Sequence, residues 1–333
     1  MIRHIYRFPD GCAVTEDERL VEYVDLRDET HSGDIVLAKV DRMMPGIECA
    51  FADIGRKKDG FLPIRENSQT FTGGVLHSGD RVPVQIRREE TGSKGAYLSR
   101  DLTIPGRYII LMPYNRYVGV SKRITDSEPL RQLGTDIAAG ETGIVMRAAS
   151  EKASESEVRN EAAMLKTVWK SIQERIQTAD APGEILYSCD PLSGIIRDYG
   201  IPEEVTVFPE RLRQELQASE NRKVPLKCGG NLIIDRCEAM TVIDVNTSSS
   251  SGQSRKEATF AAVNREACIE AAIQVRLRNI SGIILIDFID MTDENDRRMV
   301  LDTLYEAFSR DRRKTVIHGW TRLGLMEITR KRI

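Results

Sequence analysis

The chain has 333 residues, of which 41% are hydrophobic and 30% charged, and its formal net charge is −3. This length is enough for two or three domains, and the charge balance excludes a globally basic nucleic-acid coat while leaving room for local basic patches. No apolar run approaches the roughly 20 residues that span a bilayer. The six cysteines show no CxxC pair, and no signal peptide precedes them. We therefore expect a cytoplasmic protein with reduced thiols and no membrane association.

The first third of the chain is predicted to be rich in short strands. Residues 1–26 read as strands joined by turns, with a turn signal at 9–11. Residues 33–64 then contain three β-like runs, and residues 79–100 contain two more, with glycine-rich corners between them. Five short strands in so compact a stretch predict a small OB-type barrel.

Two aromatic residues of this predicted barrel lie near turns. Phe51 and Phe61 flank the basic run at 56–58, and Lys94 lies on a later loop. Aromatic faces with neighbouring cations are suited to stacking with single-stranded RNA. The same two rings would equally suit the core of a barrel this small, so the pattern alone leaves both interpretations open.

Helices become frequent further along the chain. Strands are predicted within 104–147, a helix with a serine N-cap over 151–177, a strand at 181–187 and a short polar helix at 209–219. From Leu226 the pattern is strand, hairpin, strand, long helix (258–279), strand, helix, strand. This alternation predicts a mixed or parallel sheet flanked by helices.

Polar residues lie at the ends of two of the apolar strands in that region. In MTVIDVN (240–246), alternation places Asp244 and Asn246 on the same side of the strand. In GIILID (282–287), Asp287 ends the run. A buried carboxylate needs a partner. If the two strands are parallel neighbours joined by the long helix, both carboxylates meet at the carboxyl edge of the sheet.

Two carboxylates and an amide, without histidine or cysteine, are hard oxygen ligands that suit Mg²⁺ or Mn²⁺. Simpler interpretations exist for each acid. Asp244 could cap the segment that follows it, and Asp287 could form an ion pair with Arg276 or Arg278. The spacing alone does not choose among them.

The C-terminal segment has a local excess of positive charge. Residues 309–333 contain eight Lys or Arg residues against Asp311 and Glu327. This pattern fits either a solvated helix face or a surface that faces phosphate.

Motifs in three regions resemble one family, in the same order along nearly the whole chain. TVIDVN, GIILIDFIDM and RDRRKTVIHGWTRLGLMEITRKR resemble the catalytic half of the RNase E/G family of bacterial endoribonucleases. GIECAFADIGRKKDGFLP and TGSKGAYLS resemble that family's RNA-binding barrel, and RYIILMPYN, VGVSKRI and GIVMRAAS resemble its 5′-end-sensing region.

The resemblance implies roles for individual residues. The family's two metal-binding aspartates fall on Asp244 and Asp287, and its site asparagine falls on Asn246. Residues that contact RNA fall on Phe51, Phe61, Lys94 and Lys314, and those that sense a 5′-monophosphate fall on Arg147 and on Lys122 or Arg123.

The implied fold is an α+β multidomain protein, in which an OB-type RNA-binding barrel (33–101) and a sensor region (102–180) interrupt an RNase H-like subdomain (1–32 and 181–225). A DNase I-like α/β catalytic subdomain (226–333) follows. The implied function is Mg²⁺-dependent cleavage of single-stranded RNA to 5′-phosphate and 3′-hydroxyl ends in RNA processing or decay. The alternatives are a non-catalytic RNA-binding protein derived from this family and a phosphohydrolase acting on small nucleotides.

The sequence departs from the family's pattern in three places. Ala148 stands where the family carries a threonine that binds the 5′-phosphate, and the segment between 205 and 228 is shorter than usual. The sequence also ends before the family's paired-cysteine zinc motif and small dimerisation domain. We therefore expect no zinc and predict no particular oligomeric state.

Overall fold

The computed structural model describes residues 2–27, 32–65, 70–90, 94–247 and 253–331, with the backbone alone for 253–259. The described strands are β1 (Arg3–Phe8), β2 (Gly11–Glu16), β3 (Arg19–Asp25), β4 (Ile35–Met44), β5 (Cys49–Asp53), β6 (Gly60–Pro63), β7 (Arg81–Arg88), β8 (Tyr97–Ser99), β9 (Ile104–Pro105), β10 (Ile109–Met112), β11 (Val118–Val120), β12 (Gly143–Met146), β13 (Ile185–Tyr187), β14 (Glu203–Glu204), β15 (Lys223–Pro225), β16 (Asn231–Arg236), β17 (Met240–Asn246), β18 (Gly282–Asp287), β19 (Thr315–Trp320) and β20 (Met326–Arg330). The described α-helices are α1 (Glu128–Ala138), α2 (Glu155–Thr178), α3 (Pro191–Tyr199), α4 (Glu210–Ala218), α5 (Gln253–Leu277) and α6 (Glu294–Ser309).

The chain forms two compact units. Residues 2–27 and 199–331 make up the first, and residues 32–198 make up the second. The second unit is thus inserted into the sequence of the first, as the predicted fold class requires. The four-part division of the sequence remains a prediction.

The second unit contains a closed barrel. Its strands follow the order β4-β5-β6-β8-β7, and β4 also pairs with β7, which closes the barrel. Small and branched apolar side chains fill the interior, among them Ala50, Ala52, Leu62 and Leu98. The five-stranded OB-type barrel predicted from residues 33–100 is therefore confirmed.

A four-stranded sheet, ordered β11-β12-β10-β9, belongs to the same unit and packs with α1 and α2. The helix predicted over 151–177 is α2, and Ser154 is its N-cap. Ser154 Oγ accepts a hydrogen bond from the Glu157 backbone N–H, while Glu157 Oε2 accepts one from the Ser154 N–H. This reciprocal capping satisfies two donors that the first turn would otherwise leave free.

The first unit contains two sheets. One has the order β14-β1-β2-β3 and the other β15-β16-β17-β18-β20-β19. Arg276 of α5 binds Glu16 of β2 through Nη1 and Nη2, at 3.1 and 2.9 Å, and both side chains are almost fully buried. A second buried pair joins Arg330 and Asp311. The first pair fixes β2 to α5, which lies 260 positions later in the chain, and the second pair joins residues that are 19 positions apart.

All six cysteines are free thiols. Within the described ranges, no helix has both the length and the apolar composition that crossing a membrane requires.

Candidate functional site

The two candidate aspartates occupy paired positions on neighbouring strands. β17 and β18 run parallel, and Asp244 is the register partner of Asp287. The crossover between them contains α5. The two strands are thus the parallel neighbours on which the sequence argument depended, and both carboxylates lie at the carboxyl edge of the sheet, where α/β proteins commonly bind ligands.

Asn246 lies on the same side of β17 as Asp244. Its Nδ2 donates a hydrogen bond of 2.7 Å to Asp244 Oδ2. Asp244 is half-buried, whereas Asp287 is exposed at the end of β18. The expectation that both carboxylates are buried is thus wrong for Asp287, because the sheet ends there and solvent reaches the side chain.

The two carboxylates carry like charges, and Arg222, which is paired with Asp235, interacts electrostatically with Asp244. Partial loss of hydration raises the pKa of the Asp287 carboxyl above its usual range, and the negative charges of Asp244 and Asp290 raise it further. Within the described part of the chain, Asp287 forms no hydrogen bond and no ion pair.

The two arginines that could have paired with Asp287 have other partners. Arg276 binds Glu16. Arg278 donates from Nε to Gln274 Oε1 and from Nη2 to the Asn221 carbonyl, each at 2.8 Å. The ion-pair interpretation of Asp287 is therefore wrong.

The side-chain oxygens of Asp244, Asp287 and Asn246 suit a divalent cation that keeps most of its coordinated waters. The described residues include no group of three or more His, Cys, Asp or Glu side chains placed to hold a metal. A pair of carboxylates with an adjacent amide is nevertheless a set from which Mg²⁺ commonly takes one or two ligands. A cation there would relieve the repulsion between Asp244 and Asp287.

Sequence reasoning did not single out the side chains near this edge. Trp320 ends β19, and its register partner Met326 pairs in turn with Ile286, next to Asp287. The Trp320 ring meets Phe288 edge to face at 5.8 Å, and the Arg297 guanidinium lies over the Trp320 ring at 5.8 Å. The only signal in the sequence was a tryptophan at the end of a strand.

Lys314 is not brought together with the carboxylates. It is exposed and immediately precedes β19. The register places Thr315 beside Arg330, and Arg330 beside Gly282, at the start of β18. Lys314 therefore lies at the edge of the sheet opposite to Asp287.

The basic C-terminal segment is neither a helix nor a uniform phosphate-facing surface. It forms the hairpin of β19 and β20, and several of its cations point inward. Arg330 binds Asp311, and Arg312 binds Glu22 at 2.6 Å. Burial, with the positive charges of Arg330 and Arg312, lowers the pKa of Arg313 to about 10.

The aromatic residues of the barrel lie on its outer surface. Phe51 and Phe61 are register partners on β5 and β6, half-buried, and their rings meet edge to face at 6.2 Å. Neither ring belongs to the barrel core, so the core interpretation is wrong. Lys94 is exposed, in the segment that leads into β8.

The predicted sensor residues follow two parallel strands. Arg147 comes directly after β12, and Lys122 and Arg123 lie in the exposed turn after β11, its parallel neighbour. Arg147 donates from Nη1 to the Gly106 carbonyl at 2.6 Å and from Nη2 to Asp198 Oδ1 at 3.0 Å. The guanidinium is thus already held by a carboxylate.

Fold and motifs together describe an α+β protein with an OB-type barrel inserted ahead of an α/β sheet that carries a carboxylate pair. A sequence profile of the Ribonuclease E/G family matches residues 103–207 and 202–333. Ribonuclease G of Escherichia coli K12 is 33% identical over 96% of this chain and 78% of its own length. Ribonuclease G of Haemophilus influenzae is 34% identical over 90% of this chain and 72% of its own length. Ribonuclease E of Nostoc sp. PCC 7120 is 32% identical over 96% of this chain, which spans 54% of that relative. The chain belongs to the ribonuclease E/G family.

Proposed function

We propose that this protein is a Mg²⁺-dependent endoribonuclease that cuts single-stranded RNA and leaves 5′-phosphate and 3′-hydroxyl ends. The observation that carries the proposal is the register pairing of Asp244 with Asp287, which places two carboxylates side by side at the carboxyl edge of a sheet. Membership of the family supports it, since the relatives are named ribonucleases. We place the activity in RNA processing or decay in the cytoplasm.

The carboxylates of Asp244 and Asp287 would hold the cation. When bound, Mg²⁺ offsets the charge that develops on a phosphodiester and lowers the pKa of a coordinated water. The Asn246 amide fixes the orientation of the Asp244 carboxylate through its 2.7 Å hydrogen bond. Its second N–H and its carbonyl oxygen are not used in that bond, so they can contact a water or the scissile phosphate.

The proposed end chemistry follows from the choice of nucleophile. A water oxygen attacks phosphorus, the bond between phosphorus and the 3′ oxygen breaks, and that oxygen leaves with a proton as the 3′-hydroxyl. The new 5′ end keeps the phosphate.

The barrel supplies the preference for single strands. The outer faces of Phe51 and Phe61 accept bases only when those bases are unpaired, and stacking tolerates any base. Lys94, exposed ahead of β8, adds attraction for phosphate.

The test uses one unstructured RNA oligonucleotide incubated with the wild-type chain, Asp244→Asn and Asp287→Asn, in Mg²⁺ and in EDTA, with the product ends mapped. We expect internal cuts in Mg²⁺ that leave 5′-phosphates, and a loss of roughly 100-fold or more in either variant, since a charged ligand supplies several kcal/mol. Asp302→Asn, which removes an exposed carboxylate of α6, is the matched control and should cut normally.

Calorimetric titration with Mn²⁺ gives a readout that does not depend on cleavage. The wild type and Asp302→Asn should bind the ion, and both site variants should bind it more weakly. RNA binding without cuts under any condition would overturn the proposal in favour of a non-catalytic RNA-binding protein.

A further inference from the structure

Five side chains form one continuous row across the barrel. The strand register pairs Arg42 of β4 with Phe51, and Phe51 with Phe61. It also pairs Phe61 with Tyr97, and Tyr97 with Arg88 of β7. Register partners project to the same face of a sheet. The row is therefore a single surface feature, with three aromatic rings between two arginines.

Tyr97 belongs to this surface in the same way as the two phenylalanines. It is half-buried, while its chain neighbours Ala96 and Leu98 point into the barrel core. Its ring lies 5.6 Å from the Phe61 ring, with the planes 22° from parallel. Tyr97 is not among the residues that form the barrel core or pack against it.

The arginines at the two ends are available for a ligand. The Arg42 guanidinium lies 5.4 Å from the Phe51 ring centroid, and that of Arg88 lies 4.7 Å from the Tyr97 centroid. Both are exposed, and neither forms an ion pair within the described residues. Arg56, by contrast, is bound to Glu89 at 2.6 Å. The row thus keeps its positive charge.

We propose that the RNA-binding surface of the barrel extends beyond the phenylalanine pair, with Tyr97 holding a further base and Arg88 the phosphate next to it. This inference rests on the proposed function, because it takes single-stranded RNA as the ligand. Arg42 would bind phosphate at the opposite end of the row. The bound strand would lie across β5, β6 and β8.

The spacing of the rings suits an extended strand. Their centroids are 6.2 and 5.6 Å apart, nearly twice the roughly 3.4 Å that separates stacked nucleotides. Bases drawn apart in this way are those of an unpaired strand. An arginine that lies on an aromatic face keeps its edge N–H groups free, and these match the geometry of a phosphate.

The experiment measures binding of a short labelled oligoadenylate to the full chain by fluorescence anisotropy, in EDTA so that no cutting occurs. Tyr97→Ala should weaken binding roughly 5- to 150-fold, the range for loss of one stacked base. Tyr97→Phe should bind nearly as well as the wild type. The matched control is Tyr117→Ala, which removes a tyrosine that is 51% exposed outside the barrel and should have no effect.

Arg88 is tested by the salt dependence of the affinity. Arg88→Ala should make the slope of log affinity against log salt shallower by about 0.7, the value for one phosphate contact on a single strand. Arg81→Ala removes another exposed cation of β7, outside the row, and should leave the slope unchanged. An abasic ribose-phosphate chain of equal length separates the roles, because Tyr97→Ala should not weaken its binding and Arg88→Ala should.

The outcomes distinguish this inference from the proposed function. If Phe51→Ala loses affinity while Tyr97→Ala binds within about twofold of the wild type, the row ends at Phe61 and the inference is overturned, with the nuclease proposal intact. If the wild type binds no RNA, both are overturned. If it binds but never cuts, only the nuclease proposal fails. Equal thermal stability of Tyr97→Ala and the wild type excludes unfolding as the cause.

Discussion

Arg147 Nη2 donates to Asp198 Oδ1 across 3.0 Å, so the arginine that the family resemblance links to the RNA 5′ end is already neutralised by a carboxylate. Asp198 also accepts a hydrogen bond of 3.1 Å from Arg197 Nε. A 5′-phosphate at Arg147 would have to share the guanidinium with this acid. Ala148, immediately after Arg147, has no hydroxyl with which to bind phosphate.

We therefore predict weak discrimination between RNAs with a 5′-monophosphate and a 5′-hydroxyl, and a stronger preference for the monophosphate in Asp198→Asn. Removing the acid frees the arginine and removes a repulsive charge. The ratio of the two initial cleavage rates is the measurement. Arg147→Ala in the same background should return the ratio to unity, and an unchanged ratio in Asp198→Asn would contradict the prediction.

A second prediction concerns the segment between Lys94 and Tyr97. A Cβ atom on Gly95 would lie 2.0 Å from the Asp59 carbonyl oxygen, so the backbone would have to move. Gly95→Ala should therefore cost about 1–3 kcal/mol of stability and weaken RNA binding by displacing its neighbours. The control is Gly46→Ala, since a Cβ on Gly46 meets nothing within 4 Å. Thermal unfolding of both variants measures the loss of stability, which should be seen in Gly95→Ala and not in Gly46→Ala.

The buried pair of Asp311 and Arg330 leads to a third prediction. Arg330 Nε donates to Asp311 Oδ2 at 2.6 Å, and both side chains are at most 2% exposed. Asp311→Asn should destabilise the first unit by about 3–5 kcal/mol, because it leaves a buried guanidinium without its counter-charge. Glu306→Gln, which breaks an exposed pair with Arg310, should change stability by less than about 0.5 kcal/mol.

Fluorescence can follow this unit alone. The chain has two tryptophans, and Trp320 lies in the first unit while Trp169 lies in the second. In a Trp169→Phe background, the Trp320 signal during urea unfolding therefore reports on the unit that contains Asp311. Equal midpoints for Asp311→Asn and Glu306→Gln would contradict the prediction.

A fourth prediction concerns acid. Burial acts to raise the pKa of Asp311 and of Glu16, but hydrogen bonds and charge from Arg330 and Arg276 outweigh it, so that both pKa values are lowered. A lowered folded-state pKa gives stability that is fully present above the unfolded value of about 4 and is lost as pH falls through the folded value.

The free energy of unfolding of the first unit should consequently decline once the pH drops below about 5. Urea titrations of Trp320 fluorescence across that range provide the measurement. Asp311→Asn should show a shallower decline, since one of the two groups no longer titrates. A slope identical to that of the wild type would assign the acid sensitivity to other groups.

Local sequence patterns predicted what depends on neighbouring residues. Strand alternation placed Asp244 and Asn246 on one side, and the alternation of strands and helices predicted a mixed or parallel sheet, in which β17 and β18 could be parallel neighbours. Both conclusions rest on the spacing of apolar and polar residues, which can be read directly from the sequence.

Strand register, and contacts between residues far apart in the sequence, could not be predicted from such patterns. Arg42 and Arg88 reach the aromatic row because the register shifts in β4 after Val40 and in β7 after Ile86. One extra residue in a strand changes which side chains face each other, and no residue type marks it in the sequence. Asp198 lies 51 positions from Arg147, and that pairing likewise had no local signal.

The ion pair between Glu16 and Arg276 has a consequence for how the chain is made. Glu16 is synthesised 260 residues before its partner, and at roughly 5–20 residues per second this is a wait on the order of 10–50 s. The intervening unit, residues 32–198, can complete its own barrel during that interval. The strands β1–β3 cannot reach their final packing in that time, because Arg276 of α5, which binds Glu16 together with Arg3, has not yet emerged. Substitutions in the first 27 residues should therefore show their effect first in the yield of folded protein from the ribosome, before any effect on catalysis.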